Sequence, residues 1–375
     1  MIDDHDETHF EGEPSSLQQQ TELPYLTENL PGIGGRWKER PEDFVVEEIP
    51  AYEPVDSGEH LFLWIEKRDV AGADLISHVG RTLRCPLGDI GVAGVKDRRA
   101  VTRQYLSVPV KYADLIEKLG TESIQVLKSA RHNNKLRTGH LRGNRFSILI
   151  RDIDSAEALA PALAIADRVR KCGFPNYYGQ QRFGHNGETL KLGLDLLSGQ
   201  KRSRDIPEPQ RRFLRRMSLS AVQSDLFNHA LAERLNDQLL NTVMVGDVME
   251  VVASGGKFVA ADIHTEQPRY DLGETAVTGP MFGPKMREPE GVSLQREQQL
   301  LERSGLLPEH FAKFLNLMTG TRRPYVVRPA ELIVSPDAEG LRFSFSLPSG
   351  SYATVLLGEF MKSVNLPPVP TDCPS

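Results

Sequence analysis

The order of strand-like and helix-like segments constrains the fold of this chain most strongly. After the first 30 residues, five segments show the patterning of strands, and one amphipathic helix falls among them. The strand-like segments are 43–51, 60–67, 89–95, 104–110 and 146–150, and the helix is 73–83. Strands that follow one another in this way favour antiparallel pairing, with helices packed against the sheet. The sequence therefore predicts an α+β fold built on a mainly antiparallel sheet.

The rest of the chain predicts a domain that is interrupted by another. A length of 375 residues is enough for two domains. Helices are predicted over 155–172, 220–235 and 352–363, and a further strand over 341–347. The first of these helices has Ser155 as its predicted N-cap and Gly173 just past its end. Between 173 and 318 the composition shifts to Arg-rich segments and to a Gly- and Pro-rich stretch through 245–291.

The net charge of −6 is concentrated at the N-terminus. Residues 1–31 hold eight acidic and no basic side chains, so the remaining chain carries a net charge of +2. Low hydrophobicity together with this charge predicts that residues 1–30 form a disordered acidic tail. Residues 367–375 are predicted to be a short C-terminal tail.

Composition excludes several classes of protein. No apolar run approaches the roughly 18 residues of a membrane span, and the acidic N-terminus resembles neither a signal nor a transit peptide. Cys85, Cys172 and Cys373 lie far apart, which argues against a disulfide framework and a structural zinc site. The histidines show no metal-ligand spacing. We therefore predict a cytoplasmic protein with no membrane association and no metal.

Positive charge is concentrated in two segments. Residues 128–151 contain seven basic side chains and no acidic one, and residues 201–216 contain seven basic side chains with only Asp205 and Glu208 to offset them. A basic run of this kind can be a solvated surface. It can also neutralise phosphates, which supply most of the sequence-independent affinity for nucleic acid.

One aspartate lies among basic residues in a predicted loop. Asp97 falls between two strand-like segments, and Lys96, Arg98, Arg99 and Arg103 are its neighbours in the chain. Nearby cations favour the ionised carboxylate. Loops often carry catalytic groups, although a loop aspartate can also form a turn or a cap. The spacing is not that of a phosphate-binding P-loop, so Asp97 is a candidate nucleophile or base.

An ordered series of motifs extends over most of the chain. Residues 94–104 (GVKDRRAVTRQ) resemble the catalytic signature of the TruD family of tRNA pseudouridine synthases. Other segments match that family in the same order: 38–47 (KERPEDFVVE), 131–137 with 143–146 (GNRF), 175–184 (PNYYGQQRFG), 220–228 (SAVQSDLFN), 278–280 (TGP) and 347–354 (LPSGSYAT). The resemblance runs from about residue 30 to about residue 366.

The resemblance implies a domain organisation and a reaction. The catalytic pseudouridine-synthase domain would be discontinuous, over 31–172 and 319–366, with a mainly antiparallel mixed sheet. An α/β TRUD domain would be inserted over 173–318. The enzyme would isomerise uridine to pseudouridine at uridine 13 in the D arm of tRNA-Glu. Its partner would be tRNA, and it would act as a monomer without a cofactor.

The resemblance also assigns the catalytic residue. Asp97 would attack the ribose, add to the uracil ring or remove the ribose C2′ proton. Lys38 would pair with Asp97 and orient it, unless it is a surface lysine before a turn. Phe44 and Phe345 would line the pocket and stack on the flipped uracil, although core packing explains both equally well.

Further residues would bind the substrate around Asp97. Asn144 and Phe146 are two residues apart in a strand and so share a face, which suits one hydrogen-bonding and one stacking group; a turn asparagine followed by a core phenylalanine is the alternative. Lys96 and Gln104 would position the loop or a phosphate, or take part in the chemistry. The predicted RNA-binding residues are Arg131, Lys135, Arg137, Arg142, Arg182, Arg211, Arg212 and Arg215. The motif that contains Arg182 can equally fix a hinge between domains.

Two other functions are compatible with parts of the pattern. The first is an RNA-binding or RNA-chaperone protein on the same fold, for which the chemistry is dispensable. The second is an unrelated hydrolase that uses Asp97 as its nucleophile. No second catalytic carboxylate, serine–histidine pair or oxyanion-loop motif accompanies Asp97, which disfavours the hydrolase.

Overall fold

The computed structural model describes residues 23–362, and these form two compact units. The first unit comprises residues 25–176 and 327–362, and the second comprises residues 177–326 together with 23–24. The predicted C-terminal tail, Cys373 and most of the predicted acidic tail lie outside the described residues. Within residues 23–362, no helix is long and apolar enough to cross a membrane.

The strands and helices have the following bounds in chain order. The strands are β1 (Arg36–Trp37), β2 (Phe44–Pro50), β3 (His60–Arg68), β4 (Gly91–Val92), β5 (Val101–Pro109), β6 (Ile124–His132), β7 (Leu141–Arg151), β8 (Phe174–Pro175), β9 (Val248–Val251), β10 (Lys257–Val259), β11 (Thr275–Met281), β12 (Thr321–Pro324), β13 (Val326–Val327), β14 (Ala330–Asp337) and β15 (Gly340–Pro348). The helices are α1 (Gly72–Leu83), α2 (Ser155–Cys172), α3 (Glu188–Ser198), α4 (Arg211–Asn236), α5 (Ile263–Asp271), α6 (Gly291–Ser304), α7 (Pro308–Ala312) and α8 (Ala353–Met361).

The first unit is built on one large sheet with the strand order β14–β15–β7–β2–β5–β3–β6. Neighbouring strands pair antiparallel except β2 and β5, which run parallel. The short strands β1 and β4 add to β7 and β5. The predicted α+β class with a mainly antiparallel mixed sheet is confirmed.

Helices cover one face of this sheet at two places. Leu75, Val79 and Leu83 of α1 join a cluster with the inward side chains of β3 and β5, such as Leu63 and Leu106. Helices α2 and α8 join a second cluster with the inward side chains of β7 and β15. Because side chains alternate across a strand, both clusters occupy the same face, and they approach each other at the central strands β2 and β5.

The second unit carries a four-stranded antiparallel sheet with the order β10–β9–β11–β12. Its apolar core contains residues of α3, α4, α6 and α7. Two ion pairs are buried beside the sheet: Arg234 with Asp247 and Arg322 with Glu297. Ser293 donates a hydrogen bond to Asp247 at 2.7 Å, so these charges are held in a network of side chains.

Several predicted boundaries need correction. Helix α4 begins at Arg211, nine residues before the predicted start, so the end of the second basic segment, residues 211–216, forms its first turns. Strands β6 and β14 were not predicted. In β6 only three side chains are buried, and most of its other positions are polar or exposed. Asp154 is the N-cap of α2 in place of Ser155: its carboxylate accepts from the amides of Ala156 and Glu157.

The predicted acidic tail extends too far, because its last residues are packed into the first unit. Thr27 is fully buried. The amides of Leu26 and Thr27 donate to the Glu359 carboxylate at 2.9 and 3.0 Å, and the Thr27 hydroxyl donates to it at 2.7 Å. Burial raises the pKa of Glu359, and these hydrogen bonds oppose the rise. A buried carboxylate needs such donors, so the segment around Thr27 belongs to the fold.

A chain that starts at Asn29 should therefore be less stable than one that starts at Leu23. The shorter chain leaves the Glu359 carboxylate buried without its three donors, which we expect to lower the free energy of unfolding by about 1–3 kcal/mol. Urea denaturation of the two chains measures this difference. Equal midpoints and slopes would show that residues 23–28 do not contribute to the fold.

Candidate active site

Polar side chains lie on the helix-covered face of the first sheet, between its two apolar clusters. Lys67 of β3 is the register partner of Thr102 of β5, and Thr102 is the partner of Val46 of β2. Two residues further along β2, Glu48 is the partner of Asn144 of β7. Side chains two residues apart share a face, so these groups and Gln104 point the same way. Such a row of polar side chains, all buried except the half-buried Asn144, is unusual in a sheet core and indicates a binding site.

Asp97 lies on the loop that joins β4 to β5, as predicted. Its side chain is 42% exposed, and its Oδ1 atom accepts a hydrogen bond from Lys38 Nζ at 3.0 Å. The Lys38 ammonium also lies 3.9 Å from the centre of the Phe44 ring and 4.8 Å from that of Trp37. These aromatic faces attract the cation and fix its position. An accessible carboxylate is thus held beside an oriented ammonium group.

Three of the cations near Asp97 in the sequence have other partners. Lys96 forms an ion pair with Glu48 at 3.1 Å, and Arg99 donates to the Glu39 carbonyl at 3.0 Å. Arg103 points to the opposite face of the sheet, because it alternates with Thr102 and Gln104, and there it pairs with Glu66 at 2.8 Å. The partner of the Asp97 carboxylate comes instead from 59 residues earlier in the chain.

Lys67 was not predicted as a site residue. It is fully buried, and its ammonium donates to the backbone carbonyl of Asp97 at 2.6 Å and to that of Val70 at 2.7 Å. Burial lowers the pKa of Lys67 to about 8, and the Asp97 carboxylate opposes the fall. The sequence signal is its position: Lys67 continues the inward series Leu61, Leu63 and Ile65 of β3.

Glu48 was also missed. Its carboxylate is fully buried in the ion pair with Lys96, and it accepts a hydrogen bond from the Tyr105 amide at 3.4 Å. Burial raises the pKa of Glu48, and the Lys96 ammonium opposes the rise. Glu48 alternates with Phe44 and Val46 along β2, which would have marked it as inward-facing.

The predicted substrate-binding residues line this same face. Phe146 packs edge-on against Phe44 and stacks on Phe345, with ring centres 6.1 and 5.3 Å apart. Among residues 23–362, the buried oxygens of Thr102, Gln104 and Asn144 have no hydrogen-bond partner. Buried polar atoms are normally paired, so unpaired acceptors on the same face as these aromatic rings suit a flat ligand with hydrogen-bond donors on its edge.

In the basic segment of the first unit, some residues are exposed to solvent and others contact groups of the protein. Arg131, Arg137 and Arg142 are exposed. Lys135 donates to the Gly88 carbonyl. Arg145 and Arg151, from the same segment, pair with acidic residues elsewhere in the unit, namely Glu47, Asp43 and Glu339. The positive charge of segment 128–151, which contains no acidic residue, is therefore partly neutralised by acidic residues from other parts of the unit.

The second unit holds the remaining predicted RNA contacts. Arg182 donates to the hydroxyls of Ser220 and Ser224, and its guanidinium lies 5.5 Å from the Tyr178 ring centre. Arg211 donates to the carbonyls of the preceding loop and pairs with Glu208.

The next residues of α4 are more open. Arg212 and Arg216 are exposed, Arg215 is half-buried, and Phe213 between them is 56% exposed. An aromatic side chain among arginines can stack on a base. Phe213 is thus a further candidate contact that the sequence did not single out.

Within the described part of the chain, no three His, Cys, Asp or Glu side chains are grouped so as to hold a metal ion.

Comparisons with known proteins agree with one another. The family model described as tRNA pseudouridine synthase D (TruD) matches residues 20–203 and 209–360. A tRNA pseudouridine synthase D of Anaeromyxobacter sp. (strain Fw109-5) is 43% identical over 343 residues, which cover 92% of this chain and 97% of the relative. One from Thermus thermophilus is 42% identical, over 90% of this chain and 92% of the relative. A solved structure from Methanosarcina mazei assigned to the same synthase superposes with a TM-score of 0.76 at 25% identity, over 92% of this chain and 99% of that one.

Proposed function

This chain belongs to the tRNA pseudouridine synthase D (TruD) family, and we propose that it converts uridine 13 in the D arm of tRNA-Glu to pseudouridine with Asp97 as its catalytic nucleophile or base. The coarser assignment, a tRNA pseudouridine synthase and hence an isomerase, follows from family membership. The observation that carries the finer proposal is the accessible Asp97 carboxylate, held by Lys38 at 3.0 Å. It lies in a unit whose sheet also carries the row of buried polar and aromatic side chains.

The reaction exchanges one bond of the ribose for another. The bond from C1′ to N1 of uracil breaks, the base turns, and C1′ bonds to C5. The proton on C5 is lost and N1 gains one, so the product is an isomer of the substrate. Asp97 serves by attacking C1′, by adding to the uracil ring or by removing the C2′ proton. Each route needs the ionised carboxylate, which forms an ion pair with the Lys38 ammonium at 3.0 Å.

The pocket must hold a uracil that has left its stack and must let it turn. We propose that Phe146 and Phe345, with Phe44, form the apolar wall against which the ring packs, since flipped bases are held by stacking. Asn144 and Gln104 would bind the polar edge of uracil through side-chain oxygens that are buried and have no hydrogen-bond partner in the structure. Lys96 is paired with Glu48, so it would shape the loop rather than contact the base.

RNA contacts would extend beyond this pocket. We propose that residues 31–172 and 319–366 are the catalytic domain and 173–318 the inserted TRUD domain, and that exposed arginines of both bind the tRNA backbone. Arg131, Arg137, Arg142 and Arg212 are the accessible members of the predicted set. Arg182 and Arg211 are already engaged within the protein, so they would support the surface more than they contact RNA. The enzyme would act as a monomer in the cytoplasm.

Neutralising Arg212 and Arg216 together by substitution with Gln should weaken tRNA binding and make its salt dependence shallower. Each lost phosphate contact lowers the slope of log K against log salt by roughly 0.7–0.9. Binding measured between 50 and 200 mM salt tests this, with Arg303→Gln in the same unit as the matched control. An unchanged slope in the double variant would remove this turn of α4 from the RNA interface.

Tritium release tests the proposed reaction and site. The substrate is tRNA-Glu transcript labelled at uracil C5, compared with a transcript in which uridine 13 is replaced by cytidine. Release that requires uridine 13 would support the proposal. Release from both transcripts would contradict the site, and tight binding of tRNA without release from any transcript would favour the RNA-binding alternative.

A further inference from the structure

We propose that Lys67 is a positioning residue for the reaction: its buried ammonium holds the backbone of the Asp97 loop from inside the sheet, so that the Asp97 carboxylate is presented in one geometry. This inference rests on the proposed function, because it assigns Lys67 a role through Asp97. It concerns a residue whose ammonium binds the backbone carbonyl of Asp97, whereas Lys38 binds the carboxylate.

The geometry ties the strand to the loop at the catalytic residue itself. Lys67 is in β3 and is 0% exposed. It donates to the Asp97 carbonyl at 2.6 Å and to the Val70 carbonyl at 2.7 Å, so one ammonium bridges the catalytic loop and the turn that follows β3. Hydrogen bonds from a charged donor are about twice as strong as neutral ones. The Asp97 loop has no regular secondary structure between β4 and β5, so this contact supplies a fixed point for its backbone.

The two lysines at Asp97 bind different parts of that residue. Lys38 pairs with the carboxylate, whereas Lys67 binds the main chain of the same residue. A carboxylate on a mobile loop would need both its charge state and its position to be set, and a displacement of about 1 Å can cost about 100-fold in rate. Burying a charged lysine is unfavourable, as its lowered pKa shows. A charged lysine at this buried position beneath the catalytic loop therefore indicates a role in addition to packing.

The expected result of Lys67→Met is slower chemistry with intact binding. We expect the single-turnover rate at pH 7 to fall by about 100-fold while the affinity for tRNA stays unchanged. Lys67→Arg keeps the charge and should retain more of the rate than Lys67→Met. The native enzyme must first release tritium from tRNA-Glu, and its failure to do so would reject the proposed function and not the role of Lys67.

Lys362→Met is the matched control within the first unit. Lys362 is also partly buried and also donates to two backbone carbonyls, those of Thr27 and Leu30, in a segment remote in sequence from the Asp97 loop. We expect this variant to lose stability without losing single-turnover rate at a temperature where it is folded. Rate losses of similar size in both variants, or a native rate in Lys67→Met, would overturn the proposal.

The pH profiles of the native enzyme and of Lys67→Arg test the same point. Since Lys67 loses its proton above about pH 8, its charge-assisted hold on the loop should weaken there, and the single-turnover rate should fall between pH 7 and pH 9. Asp97, Lys96 and Asp69 are the charged groups that act on it. Lys67→Arg, which keeps its charge, should extend the plateau to higher pH. The same profile in the native enzyme and in Lys67→Arg would contradict the proposed role.

Discussion

Substitution of Asp97 by Asn is expected to abolish tritium release from tRNA-Glu. The change keeps the size of the side chain and removes its charge, so the loop can stay in place while the nucleophile or base is lost. We expect the rate to fall by at least about 10⁴-fold, the scale seen when an essential catalytic group is removed. Single-turnover assays with excess enzyme measure the chemical step directly. Affinity for tRNA should be retained, because the basic surfaces are untouched.

Asp114→Asn provides the control for this prediction. Asp114 is an exposed aspartate of the same unit and lies between β5 and β6, so its substitution makes the same chemical change away from the catalytic loop. It should leave the rate within the error of the assay. Substantial release by Asp97→Asn would remove Asp97 from the chemistry, and the proposed mechanism with it.

The sequence predicts the architecture of the first unit better than the details of its site. The strands β2, β3 and β15 and the helices α1, α2 and α8 follow from alternation, periodicity and end signals, because the apolar clusters that they form dominate their patterning. Strand β6 could not be predicted, because its exposed position at the edge of the sheet leaves it with few apolar side chains. The full length of α4 could not be predicted either. Its first turns are Arg-rich, and charge alone does not distinguish a helix from a loop.

The partners of charged residues could not be predicted from neighbours in the chain. The sequence surrounds Asp97 with cations, yet three of them, Lys96, Arg99 and Arg103, point to other groups, and the resemblance was needed to nominate Lys38. Glu48 and Lys67 were missed although each occupies an inward position of a predicted strand. A charged residue in an inward series is thus a stronger sign of a site than a charge run, since burying a charge is costly unless it is paired.

Removal of Arg322 should strongly destabilise the second unit. Its guanidinium makes two hydrogen bonds to the Glu297 carboxylate, at 2.7 and 2.9 Å, and both side chains are nearly inaccessible. Arg322→Leu leaves Glu297 buried and unpaired, which should lower the free energy of unfolding by about 3–5 kcal/mol. Urea denaturation measures the loss. Arg303→Leu, which breaks the exposed pair with Glu233 in the same unit, should cost at most about 1 kcal/mol.

The pH dependence of the Arg322→Leu variant identifies the cause of its loss. Burial raises the pKa of Glu297, and Arg322 opposes that rise in the native protein. Without Arg322 the folded protein binds a proton that the unfolded chain releases, so the stability of the variant relative to the native protein should fall further as the pH increases from 5 to 7. Adding Glu297→Leu removes the titrating group and should restore much of the stability and remove this slope. A deficit that is independent of pH, and that the second substitution does not relieve, would instead assign the loss to packing around Arg322.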